Sequence, residues 1–322
     1  MIVDRQQVAI IGCGAVAEDM YARGLKGLPG VSIVAVCDLD TERAAVVSAA
    51  TGAPAVPFEE AVTRAGLAVI ATPPATHFSL ASAALEAGCD VLCEKPFVPT
   101  SEAARKLEVV ATSRGRALYV GHFRRMYASL RGGRDLLRSG VLGAPKSVTA
   151  LEGGRFNWQA KSGYTHTDPH GGVLFDAGSH LIDMAMFLLG FDSGPVAVSV
   201  NEVERDAPDE PSHALTARLV VTQDDRDIDL RLGLSRFGLL ANLIRVECDR
   251  GTLEVPIAPG SSVRLRGPDG TLAMSFEAGE TTLGGGFIEQ LRRITSADGC
   301  EELLAHRFIA TVQILERLGT GE

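Results

Sequence analysis

The chain lacks the features that mark membrane, secreted and nucleic-acid-binding proteins. Its 322 residues contain no apolar run long enough to span a bilayer. No basic segment followed by an apolar core opens the chain, so we expect no signal peptide. None of the six cysteines forms a C-x-x-C motif, and the net charge is −9. The composition predicts a cytoplasmic protein without disulfides or structural zinc, and without a nucleic-acid or membrane partner.

Short apolar runs alternate with helical patterns through the first 120 residues. The runs are 8–12, 33–38, 67–73, 91–94 and 117–121. The helical stretches between them include 41–51, 76–87 and 101–113. Strands that are apolar throughout are typical of a parallel sheet covered on both faces. We therefore predict a doubly wound α/β domain over residues 1–122.

The pattern changes after residue 122, and a chain of 322 residues is long for a single core. Apolar and polar residues alternate in "DIDLRLGL" (227–234), and residues 244–248 and 263–266 alternate in the same way. Period-two alternation predicts strands with one buried and one solvated face. We expect a second α/β domain for substrate binding and oligomerisation over residues 123–322, with an antiparallel or mixed sheet. Its C-terminal helix either stays with this domain or packs back on the first one.

A glycine-rich turn joins the first strand to the first helix. In "VAIIGCGAVAED", Gly12 lets the chain turn sharply, Gly14 lets a pyrophosphate approach the backbone, and Ala17 replaces the usual third glycine. Asp38 ends the second strand, 26 residues after Gly12, where a carboxylate binds adenosine ribose hydroxyls and repels a 2′-phosphate. The pattern predicts NAD binding and disfavours NADP. The predicted contacts on the turn are Gly12, Gly14, Ala15 and Val16.

Three further motifs follow strands at the edge where an open parallel sheet binds ligands. They are "ATPPATH" (71–77), "DVLCEKPF" (90–97) and "VGHFRRMY" (120–127). Lys95 would bring a cation and a proton donor to this edge. The other cofactor candidates are Thr72, Pro73, His77, Glu94 and Arg124. From the residues alone, each motif also has a structural interpretation that stays open. These alternatives are an ordinary turn at "ATPPATH", a solvated Glu94–Lys95 pair, and a surface position for Arg125.

The helix predicted over residues 173–189 carries charge in an otherwise apolar sequence. On an ideal helix, Asp176, His180 and Asp183 share one stripe. The remaining faces are apolar, which predicts burial. The stripe is either a satisfied polar seam in the core or the wall of a catalytic cavity, with Asp183 as its structural member.

A polar stretch over residues 153–172 holds the only tryptophan, Trp158, together with Arg155 and Tyr164. Aromatic faces beside hydrogen-bonding groups suit a hydroxyl-rich ligand such as a sugar. A loop anchored by one aromatic residue is the alternative. We predict no metal site, although three possible ligands stand nearby at alternate positions: His166, Asp168 and His170.

The chain resembles the glucose–fructose oxidoreductase / inositol dehydrogenase / MocA family over residues 8–190. The resemblance rests on five segments in order: "GCGAVA", "ATPPATH", "AGCDVLCEKPF", "GHFRRMY" and "GGVLFDAGSHLIDMAMFLLG". It implies a Rossmann domain, then an α/β domain with a large, open, mostly antiparallel sheet. It also implies a nicotinamide cofactor, a sugar, cyclitol or related polyhydroxy substrate, a homodimer or homotetramer, and a cis bond at Lys95–Pro96.

The family's catalytic lysine falls on Lys95, and its aspartate and histidine fall on Asp176 and His180. In this interpretation His180 takes the substrate hydroxyl proton, Lys95 stabilises the alkoxide, and Asp176 orients the imidazole or the substrate. Whether Lys95 or His180 transfers the proton stays open. Phe123 stands where the family often has asparagine. The predicted substrate contacts are Lys95, Phe123, Arg155, Trp158, Tyr164, Asp176 and His180.

The predicted activity is therefore that of an NAD-dependent dehydrogenase or ketoreductase acting on CH–OH groups. A redox-neutral enzyme that uses bound NAD transiently, such as an epimerase, eliminase or glycosidase, is the second interpretation. A non-catalytic NAD-binding regulator is the third. The presence of Lys95, Asp176 and His180 argues against a regulator, which has no need of them.

Overall fold

The computed structural model describes residues 6–155, 171–207, 211–259, 261–277, 279 and 282–320. These residues form two compact units. The first unit runs from residue 6 to His122 and also takes Phe287–His306. The second unit contains the other described residues. The segment Phe287–His306 thus joins the first unit from the C-terminal part of the chain, beyond the boundary at residue 122.

A five-stranded parallel sheet lies at the centre of the first unit. Its strands are β1 (Gln6–Ile11), β2 (Val31–Cys37), β3 (Leu67–Ile70), β4 (Asp90–Glu94) and β5 (Leu118–Gly121). They pair in the order β2-β1-β3-β4-β5, and each neighbouring pair is parallel. Every residue of β3 and β5 is buried, as expected of strands covered on both faces. The predicted Rossmann-type sheet is confirmed.

Helices connect these strands. They are α1 (Ala22–Lys26), α2 (Thr41–Thr51), α3 (Phe58–Arg64), α4 (His77–Glu86) and α5 (Ser101–Arg114). A π-helical turn, Ala17–Tyr21, leads directly into α1. The carboxylate of Asp40 caps α2 by accepting two backbone N–H groups, and the hydroxyl of Thr100 caps α5. Each cap satisfies donors that the first helical turn leaves unpaired.

An eight-stranded sheet forms the second unit. Its strands are β6 (Pro145–Gly153), β7 (Ala197–Arg205), β8 (Ala214–Gln223), β9 (Arg226–Ser235), β10 (Leu243–Cys248), β11 (Gly251–Pro256), β12 (Ser262–Arg266) and β13 (Leu272–Glu277). Their order is β13-β12-β11-β10-β6-β9-β8-β7, and only the β6–β9 pair is parallel among the pairs described. The predicted mostly antiparallel open sheet is confirmed. In β9, Ile228 and Leu230 are buried whereas Asp227 and Asp229 are exposed, which matches the alternation of the sequence.

Helices α6 (Ala128–Arg138), α7 (Ser179–Leu189) and α9 (Ile309–Thr320) pack on the buried face of this sheet. Helix α8 (Leu283–Ile294) precedes α9 and crosses the boundary between the units at Phe287. A π-helical turn, Leu174–Gly178, precedes α7, so the continuous α-helix predicted over 173–189 is wrong in its first turn. Every residue of α7 is buried. None of the described helices is long and apolar enough to cross a bilayer.

Candidate active site

The turn after β1 has the shape that a phosphate group needs. Gly12 adopts φ +95°, and a Cβ there would lie 2.6 Å from the carbonyl oxygen of Ala71, so only glycine fits. At Gly14, by contrast, no described atom lies within 4 Å of an added Cβ, which leaves open space above the backbone. Ala15 and Val16 follow at the start of the helix. The turn therefore fits the pyrophosphate of a dinucleotide.

Asp38 lies beside this turn, directly after β2. Its Oδ2 accepts the backbone N–H of Cys13 at 2.7 Å, and its Oδ1 accepts the N–H of Asp40 at 2.8 Å. The guanidinium of Arg43 lies 4.0 Å away, and 13% of the Asp38 side chain is exposed. The fold thus fixes a partly exposed carboxylate next to the glycine turn, where it fits the ribose hydroxyls of an adenosine.

His77 joins the turns that follow β3 and β4. Its Nδ1 lies 3.0 Å from the carbonyl oxygens of Pro96 and Phe97, and its Nε2 lies 2.9 Å from the carbonyl oxygen of Thr72. Burial lowers the pKa of His77, although the carbonyls act in the opposite direction. Because the ring is completely buried and meets backbone on both sides, its role in this unit is to hold the two turns together.

Lys95 follows a buried carboxylate at the end of β4. The Lys95–Pro96 bond is cis, as the family resemblance implies. Glu94 is only 8% exposed. The alternative of a solvated Glu94–Lys95 pair is therefore wrong for the side chain of Glu94. Its Oε1 accepts the hydroxyl of Tyr21 at 2.6 Å, and its Oε2 accepts the backbone N–H of Lys95 at 3.0 Å. Burial raises the pKa of Glu94, against the lowering effects of Tyr21 and Lys95.

In the second unit, the imidazole of His180 lies near the ring of Phe123. Their ring centroids are 5.3 Å apart in an edge-to-face arrangement. Phe123 also meets Tyr127 at 6.0 Å, and His180 is buried in α7. An aromatic edge therefore lies against the imidazole at the position where the family often has an asparagine.

Asp176 lies on the π-helical turn before α7 and pairs with Arg236. Its Oδ2 is 3.0 Å from Nη2 of Arg236, which also donates to the carbonyl of Gly172 at 3.2 Å. Arg236 comes directly after β9 and is buried. Arg236 was not among the site residues predicted from the sequence. The only sequence signal was a charge at the end of an apolar alternating strand.

The two arginines of "FRRM" have different environments. Arg124 forms a two-pronged pair with Glu152, at 2.7 and 2.9 Å. Arg125 is fully buried and bonds to Asp183 through Nε and Nη2, so the surface alternative for Arg125 is wrong. Asp183 also accepts the hydroxyl of Thr311.

Each predicted site residue can now be placed in its own unit. The candidates of the first unit lie at the carboxyl ends of β1, β2, β3 and β4. In the second unit, Phe123 and His180 are in contact, whereas Arg155 is exposed at the end of a described segment. Trp158, Tyr164 and the possible ligands His166, Asp168 and His170 lie outside the described residues.

The fold and the glycine turn define a dinucleotide-binding protein with a second, sheet-based domain. Residues 6–122 match an oxidoreductase family model with an NAD-binding Rossmann fold, and residues 131–253 match the GFO/IDH/MocA C-terminal domain. Inositol 2-dehydrogenase 4 of Saccharopolyspora erythraea is 30% identical over 281 residues, which cover 84% of this chain and 79% of that protein. The chain belongs to the Gfo/Idh/MocA oxidoreductase family, and its first domain is an NAD-binding Rossmann domain.

Other relatives are similar over less of their length. D-glucoside 3-dehydrogenase of Escherichia coli (strain K12) is 32% identical over 200 residues, or 61% of this chain. The chain spans 56% of that protein and 57% of another Escherichia coli oxidoreductase. An oxidoreductase structure from Agrobacterium radiobacter, in complex with NAD+, L-tartaric acid and magnesium, aligns with a TM-score of 0.78 at 19% identity and covers 99% of this chain and 97% of that chain. The last similarity concerns the fold.

Proposed function

We propose that this protein is an NAD-dependent oxidoreductase that transfers hydride between a nicotinamide and a sugar, cyclitol or related polyhydroxy or keto substrate. The observation that carries this assignment is the turn after β4, where Lys95 lies between a buried carboxylate and a cis proline. This turn stands at the ligand-binding edge of the NAD-binding sheet. The names of two relatives, an inositol dehydrogenase and a glucoside dehydrogenase, support the substrate class.

The glycine turn and Asp38 would hold the cofactor. The open space at Gly14 suits a phosphate, and the carboxylate of Asp38 favours NAD over NADP. When bound, the nicotinamide would accept or donate the hydride. The residues to which we assign cofactor contacts are Gly12, Gly14, Ala15, Val16, Asp38, Thr72, Pro73, Lys95 and Arg124.

Three side chains act on the substrate in this proposal. The ammonium of Lys95 stabilises the charge that develops on the substrate oxygen. His180 takes or returns the hydroxyl proton as a general base or acid. Asp176 orients the substrate, and Arg236 holds the carboxylate of Asp176 in place. The further substrate contacts that we propose are Phe123, Arg155, Trp158 and Tyr164.

A panel of sugars, cyclitols and their keto forms, offered with NAD(H) and NADP(H) and followed at the nicotinamide absorbance, identifies the substrate. Single-turnover rates of Lys95→Ala and His180→Ala then test the assignment, and each should fall by about 100-fold or more. Lys146→Ala and His306→Ala are matched controls, because both side chains are exposed. Near-normal rates in both site variants would contradict the assignment. Product formed without net change in nicotinamide absorbance would indicate redox-neutral chemistry instead.

We also propose a homodimer or homotetramer in the cytoplasm. The eight-stranded sheet presents exposed charges of both signs, such as Glu202 and Arg218, which could pair with opposite charges on a second copy. All six cysteines are free, which supports a reducing compartment. Light scattering after size-exclusion chromatography measures the mass, and a monomer at all concentrations would contradict the assembly.

A further inference from the structure

The buried carboxylate before Lys95 has a partner from a distant part of the chain. The hydroxyl of Tyr21 donates to Oε1 of Glu94 at 2.6 Å, across 73 residues of sequence. Both side chains are buried. The second oxygen of Glu94 accepts the backbone N–H of Lys95. One carboxylate therefore joins the helix that follows the glycine turn to the lysine that we propose as the catalytic cation.

The position of Tyr21 depends on the π-helical turn that contains it. Tyr21 is the last residue of Ala17–Tyr21, and a π turn rotates the residues that follow relative to a regular α-helix. The ring of Tyr21 packs edge-to-face on Phe287, with centroids 4.8 Å apart. The ring is therefore held from one side by packing and from the other by its hydrogen bond to Glu94.

Strand β5 also accommodates this carboxylate. A Cβ at Gly121 would lie 2.9 Å from Oε1 of Glu94, so glycine leaves the room that the carboxylate occupies. Among the described residues, Cys93 and Lys95 lie next to Glu94 along the chain, Gly121 faces the pair from β5, and Phe287 faces it from α8. Of these, Lys95 is the cation. Its ammonium acts electrostatically on Glu94 and therefore experiences the carboxylate in return.

We propose that Tyr21 and Glu94 are positioning residues for Lys95: the phenol fixes the carboxylate, and the carboxylate fixes the backbone and the charge of the lysine. This role replaces the direct cofactor contact that the sequence suggested for Glu94. It rests on the proposed function of Lys95. It also connects the helix that follows the phosphate-binding turn to the reacting group through a single hydrogen-bonded pair.

Labelling of Lys95 in the cofactor-free protein tests the charge link without turnover. Lys95 is acetylated with acetic anhydride over a range of pH and quantified by mass spectrometry, which gives its apparent pKa. We expect Glu94→Gln to lower this pKa by about one unit or more, because a nearby opposite charge is removed. Tyr119→Phe is the matched control, since it removes another phenol hydroxyl of this unit, bonded to the backbone of Cys300. An unchanged Lys95 pKa in Glu94→Gln would overturn the proposal.

Steady-state kinetics of Tyr21→Phe test the hydroxyl, because phenylalanine keeps the ring that packs on Phe287. The hydrogen bond from Tyr21 lowers the pKa of Glu94, so its loss raises that pKa. In this proposal a protonated Glu94 no longer holds Lys95 in place, so the titration of Glu94 contributes to the acidic limb of kcat, and that limb should move to higher pH. We expect kcat to fall roughly tenfold, as small misplacements of a reacting group do, with little change in KM. Tyr119→Phe should leave both the limb and kcat unchanged.

The double variant Tyr21→Phe/Glu94→Gln shows whether the two residues act as one unit. Its kcat should be no lower than that of Glu94→Gln alone, whereas losses that multiply would overturn the pairing. If Glu94→Gln does not fold, the pH profile of kcat in Tyr21→Phe becomes the deciding measurement. An acidic limb at the same pH as in the unmodified protein would then refute the proposal. Activity retained in Lys95→Ala would reject the proposed function instead. Three results together would reject only the positioning role. They are a loss of activity in Lys95→Ala, an unmoved acidic limb of kcat in Tyr21→Phe, and an unchanged Lys95 pKa in Glu94→Gln.

Discussion

Replacement of Arg125 by methionine should destabilise the second unit strongly. Arg125 is 0% exposed, and its Nε and Nη2 lie 2.9 and 2.5 Å from the carboxylate of Asp183. Nη2 also donates to the carbonyl of Arg307 at 3.0 Å, and the guanidinium lies 3.9 Å from the ring centre of Phe308. Methionine fills part of the space but leaves the carboxylate of Asp183 buried without this cation.

The expected loss follows from the desolvation of that carboxylate. Removal of one partner from a buried ion pair costs about 3–5 kcal/mol of unfolding free energy. Domains are stable by only about 5–15 kcal/mol, so this loss is a large part of the total. Asp183→Asn should produce a loss of similar size, because it leaves the guanidinium with less compensation. The double variant should lose less unfolding free energy than the sum of the two single losses, since both substitutions remove the same ion pair.

Urea unfolding followed by circular dichroism measures this loss. Arg138→Met is the matched control, because Arg138 belongs to the same unit and is exposed in the last turn of α6. The control should change the unfolding free energy by no more than about 0.5 kcal/mol. A loss below about 1 kcal/mol in Arg125→Met would refute the reasoning from burial.

Three further changes have defined outcomes. Asp38→Ser should shift the ratio of NADP to NAD affinity toward NADP, because Arg43 remains while the repelling carboxylate is lost; fluorescence titration measures the ratio, and an unchanged ratio contradicts the assignment. His77→Gln should lower the melting temperature in differential scanning fluorimetry by several degrees, roughly 2–4 °C for each kcal/mol lost. An unchanged melting temperature would show that the link from His77 to the turns after β3 and β4 is not needed for stability. Arg236→Met should lower kcat/KM about tenfold or more with unchanged NAD affinity, since Asp176 loses its partner; an equal loss of NAD affinity would contradict this.

The parallel sheet could be predicted because its signals are local. Each strand is a short apolar run, and each run ends at a glycine, a proline or a charge. The errors lie at the boundaries. The prolines of "ATPPATH" predict a break after a strand over 67–71, and β3 ends one residue earlier, at Ile70.

The π-helical turns could not be predicted in the same way. The stripe of Asp176, His180 and Asp183 assumes 100° per residue along the whole helix, but Leu174–Gly178 departs from that geometry. Whether an extra residue enters a helical turn depends on what packs against it. That information comes from segments far away in sequence, such as Arg236, which pairs with Asp176 across 60 residues.

The adjacent arginines show a second limit. The sequence "FRRM" does not indicate which arginine faces the core, because the two residues are identical and have nearly the same neighbours along the chain. In the structure, Arg124 pairs with Glu152 of β6, whereas Arg125 reaches Asp183 of α7. The position of each arginine side chain depends on a carboxylate that is distant in sequence. A buried arginine is stable only where such a carboxylate is present.

Asp38 and Glu94 show why equal positions on a sheet need not have equal roles. Each carboxylate stands at the carboxyl end of a parallel strand, where sequence reasoning assigned both to the cofactor. Asp38 bonds to backbone N–H groups and keeps 13% of its side chain exposed, as the ribose contact that we propose for it requires. Glu94 bonds to a phenol and lies against Gly121, where burial raises its pKa and its charge acts on the neighbouring lysine. In the proposed function, the partner that the fold supplies, rather than the position in the strand, thus distinguishes the carboxylate that meets the ligand from the carboxylate that orients the reacting group.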